Sequence, residues 1–249
     1  MLKILLLLFI FCIMLVGGER GVTSLIAWFG NIIICGIAVW LMAAGVSVPA
    51  VTVGMSIMIC LITLFYQNGN NEKTRKAFGA TVITMLLFFA VIYGIVWKGS
   101  PEGLNEIQIM GEDVLSYKMD LHINMADVAV TVIFLSTLGT VLDLTLDVAT
   151  SVYELKKHNP QMNKEELLQS GRIIGKEIIG TTANTLLFAY LGESVFLFVY
   201  LKTQNYTFEK ILNSKILFQN IASMLLGIIS CVVAMQIAAA FMAEERGKD

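Results

Sequence analysis

The sequence predicts an all-α protein that crosses a membrane about seven times. Of its 249 residues 57% are hydrophobic and only 14% are charged, and the mean hydropathy is +0.76. Soluble domains are about 45–50% apolar and about 25% charged, so this is a membrane composition. The apolar residues also come in runs of about 20, the length that an α-helix needs to cross the hydrocarbon core. The longest polar loop, Lys98 to His122, is too short to bury a core of its own.

Seven apolar runs are candidate spans, and we predict that residues 1–249 form a single transmembrane domain without a separate soluble domain. The runs are 2–17, 22–45, 48–66, 79–97, 123–152, 173–201 and 216–243. The first run is short and follows a single lysine, as in a signal peptide. No small-residue cleavage site follows it, so we expect it to be retained as a helix.

The basic residues predict how the chain is oriented. With the N-terminus outside and the C-terminus in the cytoplasm, 11 of the 17 Lys and Arg residues fall in cytoplasmic loops or in the tail. A cytoplasmic excess of Lys and Arg in short loops is the general rule for membrane proteins. The acidic loop 98–122 then lies outside, and we expect a multi-pass protein in the lipid bilayer of the cell membrane.

Composition and motifs exclude several classes of function. The formal net charge is −2, which leaves no basic surface for nucleic acid. The four cysteines lie inside apolar runs and His122 and His158 are isolated, so we expect no metal site and no cofactor. The sequence contains neither H-E-x-x-H nor G-x-S-x-G, and intramembrane aspartyl proteases place their two aspartates on different helices. We therefore do not expect an enzyme.

Two aspartates interrupt the fifth run, 123–152. Asp143 and Asp147 are four residues apart, and the same helical face carries Ser136, Thr140, Thr150 and Glu154. If the membrane boundary lies near Glu154, Asp147 is about 10 Å and Asp143 about 16 Å inside it. Both carboxylates are then within the hydrocarbon core.

A carboxylate at that depth needs an explanation, because inserting an aspartate costs about 2.5–3.5 kcal/mol. Two carboxylates one turn apart also repel each other, which favours a proton shared between them. Intramembrane aspartates usually mark ion or proton pathways, so we interpret the pair as a proton carrier. The alternative is that both are hydrogen-bonded groups that hold helices together.

The sixth run offers polar groups that could serve the aspartates. Glu177, Thr181, Asn184 and Thr185 share one face, and counting depth along two antiparallel helices sets Thr181 opposite Asp147 and Thr185 opposite Asp143. Such groups could relay protons or satisfy the carboxylates, although hydroxyls are also common between membrane helices. Glu193, near the outer end of the run, is a weaker candidate.

The seventh run carries a seam of small and polar residues. Asn220, Ser223, Gly227 and Ser230 recur at three- and four-residue steps, which is typical of a helix that packs closely on its neighbours. We predict that this seam packs against the fifth and sixth helices.

Several motifs resemble those of the YibE/F family of bacterial membrane proteins. They are D-V-A-T-S at 147–151, N-P at 159–160, E-L-L-Q-S-G at 166–171, I-G-K-E-I-I-G-T-T-A-N-T-L-L-F-A-Y at 174–190 and V-G-G-E-R-G at 16–21. The short chain is similar to the YibF-type members. Members tend to occur as pairs, which implies either a YibE-type membrane partner or a homo-oligomer. Asp147 opens the first of these motifs, so the resemblance favours it over Asp143.

A shorter likeness extends to the SecDF branch of the RND superfamily. It consists of Asp147, then Glu154, then Asn184-Thr185-Leu186 in the next helix. In that branch an intramembrane aspartate and polar residues of the following helices form a proton pathway. The last three helices here would then resemble the closing half of a six-helix RND repeat. The resemblance implies that Asp147 binds protons and that Thr181, Thr182, Asn184 and Thr185 are its relay or hydrogen-bond partners.

Two functions follow as hypotheses. The first is a membrane subunit of a proton-coupled transport or translocation system that acts with a related partner. The alternative is a non-transporting scaffold that stabilises a partner protein, with the aspartates as structural pairing groups. An Asp147→Asn variant separates them, because it would abolish function without loss of assembly only in the first case.

Overall fold

A computed structural model describes residues 1–99, 124–203 and 205–244, and this part of the chain is helical without any strand. The elements are α1 (Leu2–Ala43), α2 (Val48–Leu61), a π-helical turn (Ile62–Tyr66), α3 (Glu72–Gly99), α4 (Met125–His158), α5 (Lys164–Thr203), α6 (Phe208–Leu212) and α7 (Lys215–Ala243). Within the described ranges six helices are long and apolar enough to cross a membrane: α1, α2 with its π-helical turn, α3, α4, α5 and α7. The prediction of a polytopic helical membrane protein is confirmed.

The first helix folds back on itself at Gly18. Gly18 has φ +53° and ψ −133°, a conformation that L side chains rarely adopt. The rings of Phe9 and Trp28 meet with centroids 5.5 Å apart, although 19 residues of straight helix would separate them by about 28 Å. A Cβ placed on Gly21 would also meet the carbonyl of Ile13. The predicted spans 2–17 and 22–45 are therefore the two arms of a helical hairpin.

The hairpin is the peripheral part of the fold. Its buried residues, Gly21, Leu25, Ala27 and Ala38, all follow the turn at Gly18, and the arm before the turn has none. α1 packs chiefly on α2 and on the π-helical turn. Two side-chain hydrogen bonds tie it there, from Asn31 to Thr63 at 3.1 Å and from Gln67 to Ser24 at 3.1 Å.

α4 is the central helix, with α2, α3, α5 and α7 packed against it. Its largest fully buried apolar side chains, Ile133, Val141, Leu144, Val148 and Val152, belong to the main core. Hydroxyl pairs join it to two of its neighbours at 2.7 and 2.8 Å: Thr131 to Thr52 of α2, and Thr145 to Thr81 of α3. Such bonds between membrane helices contribute about 0.6 kcal/mol each on average.

Local sequence explains where α3 and α5 begin. Each start has reciprocal bonds between side chains and backbone three residues apart, Asn71 with Thr74 and Asn163 with Glu166, at 2.9–3.1 Å. This arrangement satisfies amide groups that the first turn of a helix would otherwise leave free. α5 consequently starts at Lys164, nine residues before the predicted span 173–201.

α5 approaches α7 closely because two of its glycines face that helix. A Cβ on Gly171 would lie 2.9 Å from the Ala239 Cβ and 3.0 Å from a methyl of Val152. A Cβ on Gly175 would overlap the side chain of Met235. Close contact through small residues is how membrane helices gain packing energy, since lipid offers no hydrophobic drive for their association.

Three observations differ from or extend the sequence prediction. α4 continues to His158, beyond the predicted end at 152, and α3 begins at Glu72, well before 79. A short helix, α6, which was not predicted, precedes α7. The predicted outer loop 98–122 falls almost entirely outside the described residues.

The hairpin can be tested by cross-linking. In a chain whose four native cysteines are replaced by alanine, Phe9→Cys combined with Trp28→Cys should form an intramolecular disulfide in membranes. A straight α1 would keep these residues about 28 Å apart and give none. Gly18→Ala should slow the cross-link, because a positive φ costs a non-glycine residue about 1–2 kcal/mol. Gly17→Ala is the matched control, since a Cβ there meets nothing within 4 Å.

The packing of α5 on α7 predicts unequal effects of alanine at two glycines. Gly171→Ala should destabilise the protein by about 1–3 kcal/mol, because the new methyl has no room against Ala239 and Val152. Gly180→Ala, in the same helix, should be neutral or slightly stabilising, because its surroundings are open and alanine favours helix. Thermal unfolding in detergent measures both, and equal stabilities would contradict the described packing.

Candidate functional site

Asp143 and Asp147 lie on an exposed stripe of α4, on the face that also carries Ser136 and Thr140. Both side chains are exposed, and the exposed stripe continues through Gly139 toward Glu154. Residues on the other sides of the same turns, Leu144, Thr145 and Val148, are buried. The two carboxylates are one turn apart, a rise of about 6 Å. The helix thus presents an acidic pair on a stripe whose neighbouring sides are buried.

Neither carboxylate has a partner within the described part of the chain. No hydrogen bond or ion pair there involves Asp143 or Asp147. On the same face, the hydroxyl of Thr140 donates to the carbonyl of Thr137 at 2.9 Å. The acidic pair is therefore open to groups outside the chain, whether protons, water or another protein.

Two contacts set the register of the antiparallel helices α4 and α5. The hydroxyls of Ser136 and Tyr190 are hydrogen-bonded, and Val152 packs against Gly171. Interpolation between these contacts at 1.5 Å per residue places Asp143 at about the depth of Thr182. Asp147 is then at about the depth of Glu177, roughly one turn from Thr181, the residue that the sequence sets opposite it.

The predicted relay residues of α5 make no hydrogen bond to the aspartates within the described residues. Thr181, Asn184 and Thr185 are exposed, and Thr182 is half-buried. The Thr181 hydroxyl donates to the Ile178 carbonyl at 2.8 Å, and that of Thr185 to the Thr181 carbonyl at 3.0 Å. Asn184 makes no hydrogen bond within the described residues. Glu193 is also exposed, near the far end of α5.

The seam predicted on the seventh span is an interface. Ser223, Gly227 and Ser230 are buried in α7, and a Cβ on Gly227 would lie 3.3 Å from Leu186 and 3.7 Å from the Thr140 hydroxyl. This prediction is confirmed, because Gly227 brings α4, α5 and α7 together at one level. The acidic pair begins one turn along α4 from that junction.

Sequence reasoning did not single out Tyr190, although it fixes the far half of α5. A tyrosine inside an apolar span is itself a signal, because a buried phenol oxygen requires a hydrogen-bond partner. Ser136 supplies that partner. Among the described residues no group of three or more His, Cys, Asp or Glu side chains could hold a metal ion. The chemistry that the site offers is the uptake and release of protons by carboxylates.

The register of α4 and α5 predicts an energetic coupling between Ser136 and Tyr190. In a double-mutant cycle of Ser136→Ala and Tyr190→Phe, we expect a coupling of about 0.6 kcal/mol and at most about 1.7 kcal/mol. Unfolding in detergent measures the four stabilities. The control cycle combines Tyr190→Phe with Thr150→Val, whose effects should be additive because Thr150 has no hydrogen bond to α5. If the effects of Ser136→Ala and Tyr190→Phe were also additive, the register would be wrong.

Comparison with known proteins identifies the family. Neither the curated proteins nor the solved structures contain a match to this chain. The profile described as YibE/F-like protein matches residues 5–245, which is nearly the whole chain. The protein belongs to the YibE/F-like family.

Proposed function

We propose that the protein is a membrane subunit of a proton-coupled transport or translocation system and that it acts with a related membrane chain. Asp147 would bind and release the proton, and Asp143 would tune its occupancy. A YibE-type chain and a second copy of this protein are the two kinds of partner that fit this proposal.

One observation carries the proposal: the central helix exposes two carboxylates, one turn apart, in the middle of a membrane span. Membrane helices rarely keep ionisable groups in the hydrocarbon region, and those that persist are usually part of proton or ion pathways. A helix that needed only packing could carry leucine at both positions. The cost of inserting two aspartates, about 5–7 kcal/mol together, supports a role that only a titratable group can fill.

The resemblance to the SecDF branch of the RND superfamily is consistent with this role. By that resemblance, α4, α5 and α7 correspond to the closing half of a six-helix repeat, and Asp147 to the proton-binding carboxylate. The exposed Thr181, Asn184 and Thr185 of α5 would then act as relay groups across an interface, because none of them is hydrogen-bonded to Asp147 within the described part of the chain. A paired arrangement is therefore part of the proposal.

Simple energetics limits what one proton can do. A charge that crosses a potential of 100 mV releases about 2.3 kcal/mol. Reversing a two-state equilibrium from 1:99 to 99:1 requires about 5.5 kcal/mol. One proton therefore biases a rearrangement without completing it, so we expect more than one proton, or binding of a substrate, in each cycle.

The open position of the aspartates also favours a second candidate function. Groups that face out of the protein within a membrane can bind a partner helix, and a scaffold would use them for nothing else. In that case the carboxylates hold a complex together, and no proton passes.

Proton flux in liposomes separates the two functions. The protein, alone and together with its co-purifying membrane partner, is reconstituted, a pH gradient is imposed, and the internal pH is followed with a dye. We expect flux from the pair, and its loss in Asp147→Asn, because the amide has no proton to exchange. Asp143→Asn should reduce the flux less.

Glu165→Gln is the matched control, since it removes an exposed carboxylate from the first turn of α5, outside the acidic pair. It should leave flux unchanged. Absence of flux from a well-assembled pair, with wild type and Asp147→Asn alike, contradicts proton coupling. Dissociation of the pair by Asp147→Asn would favour the scaffold.

A further inference from the structure

Two complementary polar groups face out of the protein at nearly the same membrane depth. Asp143 of α4 is a hydrogen-bond acceptor when ionised, and the Asn184 amide of α5 offers two N–H donors. Both are exposed, and neither makes a hydrogen bond within the described residues. The register of α4 and α5 places Asn184 within about 3 Å of the level of Asp143 along the membrane normal.

The two groups cannot satisfy each other within one chain as it is packed. Asn184 is on the face of α5 that points away from α7, whereas Gly171 and Gly175 form the opposite, packed face. Turning α5 to bring Asn184 toward α4 would move these glycines out of their contacts with Ala239 and Met235. Larger side chains of α5 would then face α7, where the contact has no room even for a methyl at Gly171.

Lipid is a poor neighbour for either group. Hydrocarbon offers no hydrogen bonds, so an amide or a carboxylate there has to be covered by protein or reached by water. Apolar side chains also surround Asn184 on α5, and Phe188, one turn away, is 70% exposed. Such a surface can be covered by another helix as well as by lipid. An acceptor on α4 and a donor on the neighbouring helix, at one depth, make the surface complementary to itself.

We propose that a second copy of this chain covers the surface, related by a two-fold axis along the membrane normal. Such an axis keeps every residue at its own depth, so the Asn184 amide of each copy donates to Asp143 of the other. The contact forms twice, and α5 of one copy lies along the open side of α4 of the other. Asp147 is left beside the interface without a donor and free to exchange its proton.

This pairing does not depend on proton transport. It rests on the positions of Asp143 and Asn184 alone, and it would equally serve a scaffold. Its failure would leave a YibE-type chain as the partner in the proposed function, and loss of proton flux would leave the dimer intact. A negative result in the flux experiment and a negative result in the test of the dimer can therefore be told apart.

Cross-linking between differently tagged copies of the full chain tests the pairing. The four native cysteines are replaced by alanine, one copy carries Asp143→Cys and the other carries Asn184→Cys. The two copies are expressed together and oxidised in membranes with copper phenanthroline. We expect a disulfide-linked dimer that contains both tags, and the second, symmetry-related Asp143–Asn184 contact stays available in it.

The control replaces Asn184→Cys by Ile83→Cys. Ile83 is exposed on α3 at a similar depth, since Thr81 of α3 bonds Thr145 of α4. It should give little cross-linked product. Equal yields from both pairs, or a product that requires a co-expressed YibE-type chain, would overturn the proposal.

A second measurement covers the case in which cysteines disturb the fold. Subunit counting of labelled protein diluted in lipid bilayers gives the dimer fraction. Asn184→Leu, a change at an exposed position, should lower the association constant roughly five- to tenfold, as expected for two hydrogen bonds between membrane helices. Asp143→Asn should retain most of the dimer, because an amide can still accept. An unchanged dimer fraction in Asn184→Leu would exclude this contact.

Discussion

The close packing of α5 on α7 determines what the rest of the molecule can offer to a ligand or a partner. Gly171 and Gly175 let the two helices approach until a Cβ at either position would overlap a side chain of α7, and this contact fixes the rotation of α5 about its own axis. All polar groups on the other face of α5 are consequently turned outward. Asp143 and Asp147 of α4, the helix that contacts both α5 and α7, remain exposed beside this contact.

Buried hydroxyl pairs bond α4 to its neighbours, whereas its two aspartates are exposed. Thr131 and Thr145 bond to α2 and α3 on the covered sides, so the polar groups of α4 divide into two sets with different roles. Each of these threonines is hydrogen-bonded to a threonine of the neighbouring helix. The aspartates have no such partner there, and a group in the hydrocarbon region without a partner is either functional or covered by another chain. The proton-carrier, scaffold and dimer hypotheses each give these unpartnered aspartates a different role.

The sequence predicts much of this architecture, and the site only in part. Hydropathy locates the long helices of the described residues, and the three- and four-residue spacing identifies the faces that carry Asp143, Asp147 and the small residues of α7. Periodicity does not tell which neighbour a face meets. α5 carries a polar face with Thr181 and Asn184 and a glycine face with Gly171 and Gly175, and either could have met α4 and α7. Packing at a distance that only glycine allows decided between them, and that depends on partner helices that are remote in sequence.

The turn at Gly18 illustrates another limit. V-G-G-E-R-G contains glycines and charges at the expected end of the first span, but the sequence does not give the sign of φ at a particular glycine. Tyr190 was missed for a related reason. Its importance comes from Ser136, which is 54 residues away along the chain and becomes its neighbour only after the register of the two helices is set.

α4 and α5 are longer than a bilayer requires, and this has a mechanical consequence. With 34 and 40 residues they extend about 51 and 60 Å, against a hydrocarbon core of about 30 Å. Each is an unbroken rod that passes from the level of the acidic pair to charged residues beyond the apolar span. A tilt of about 5° around the midpoint of α5 displaces its ends by roughly 3 Å. A small change of tilt at the level of Asp147 is thus larger at the neighbouring ends of the two helices, which are the end of α4 and the start of α5.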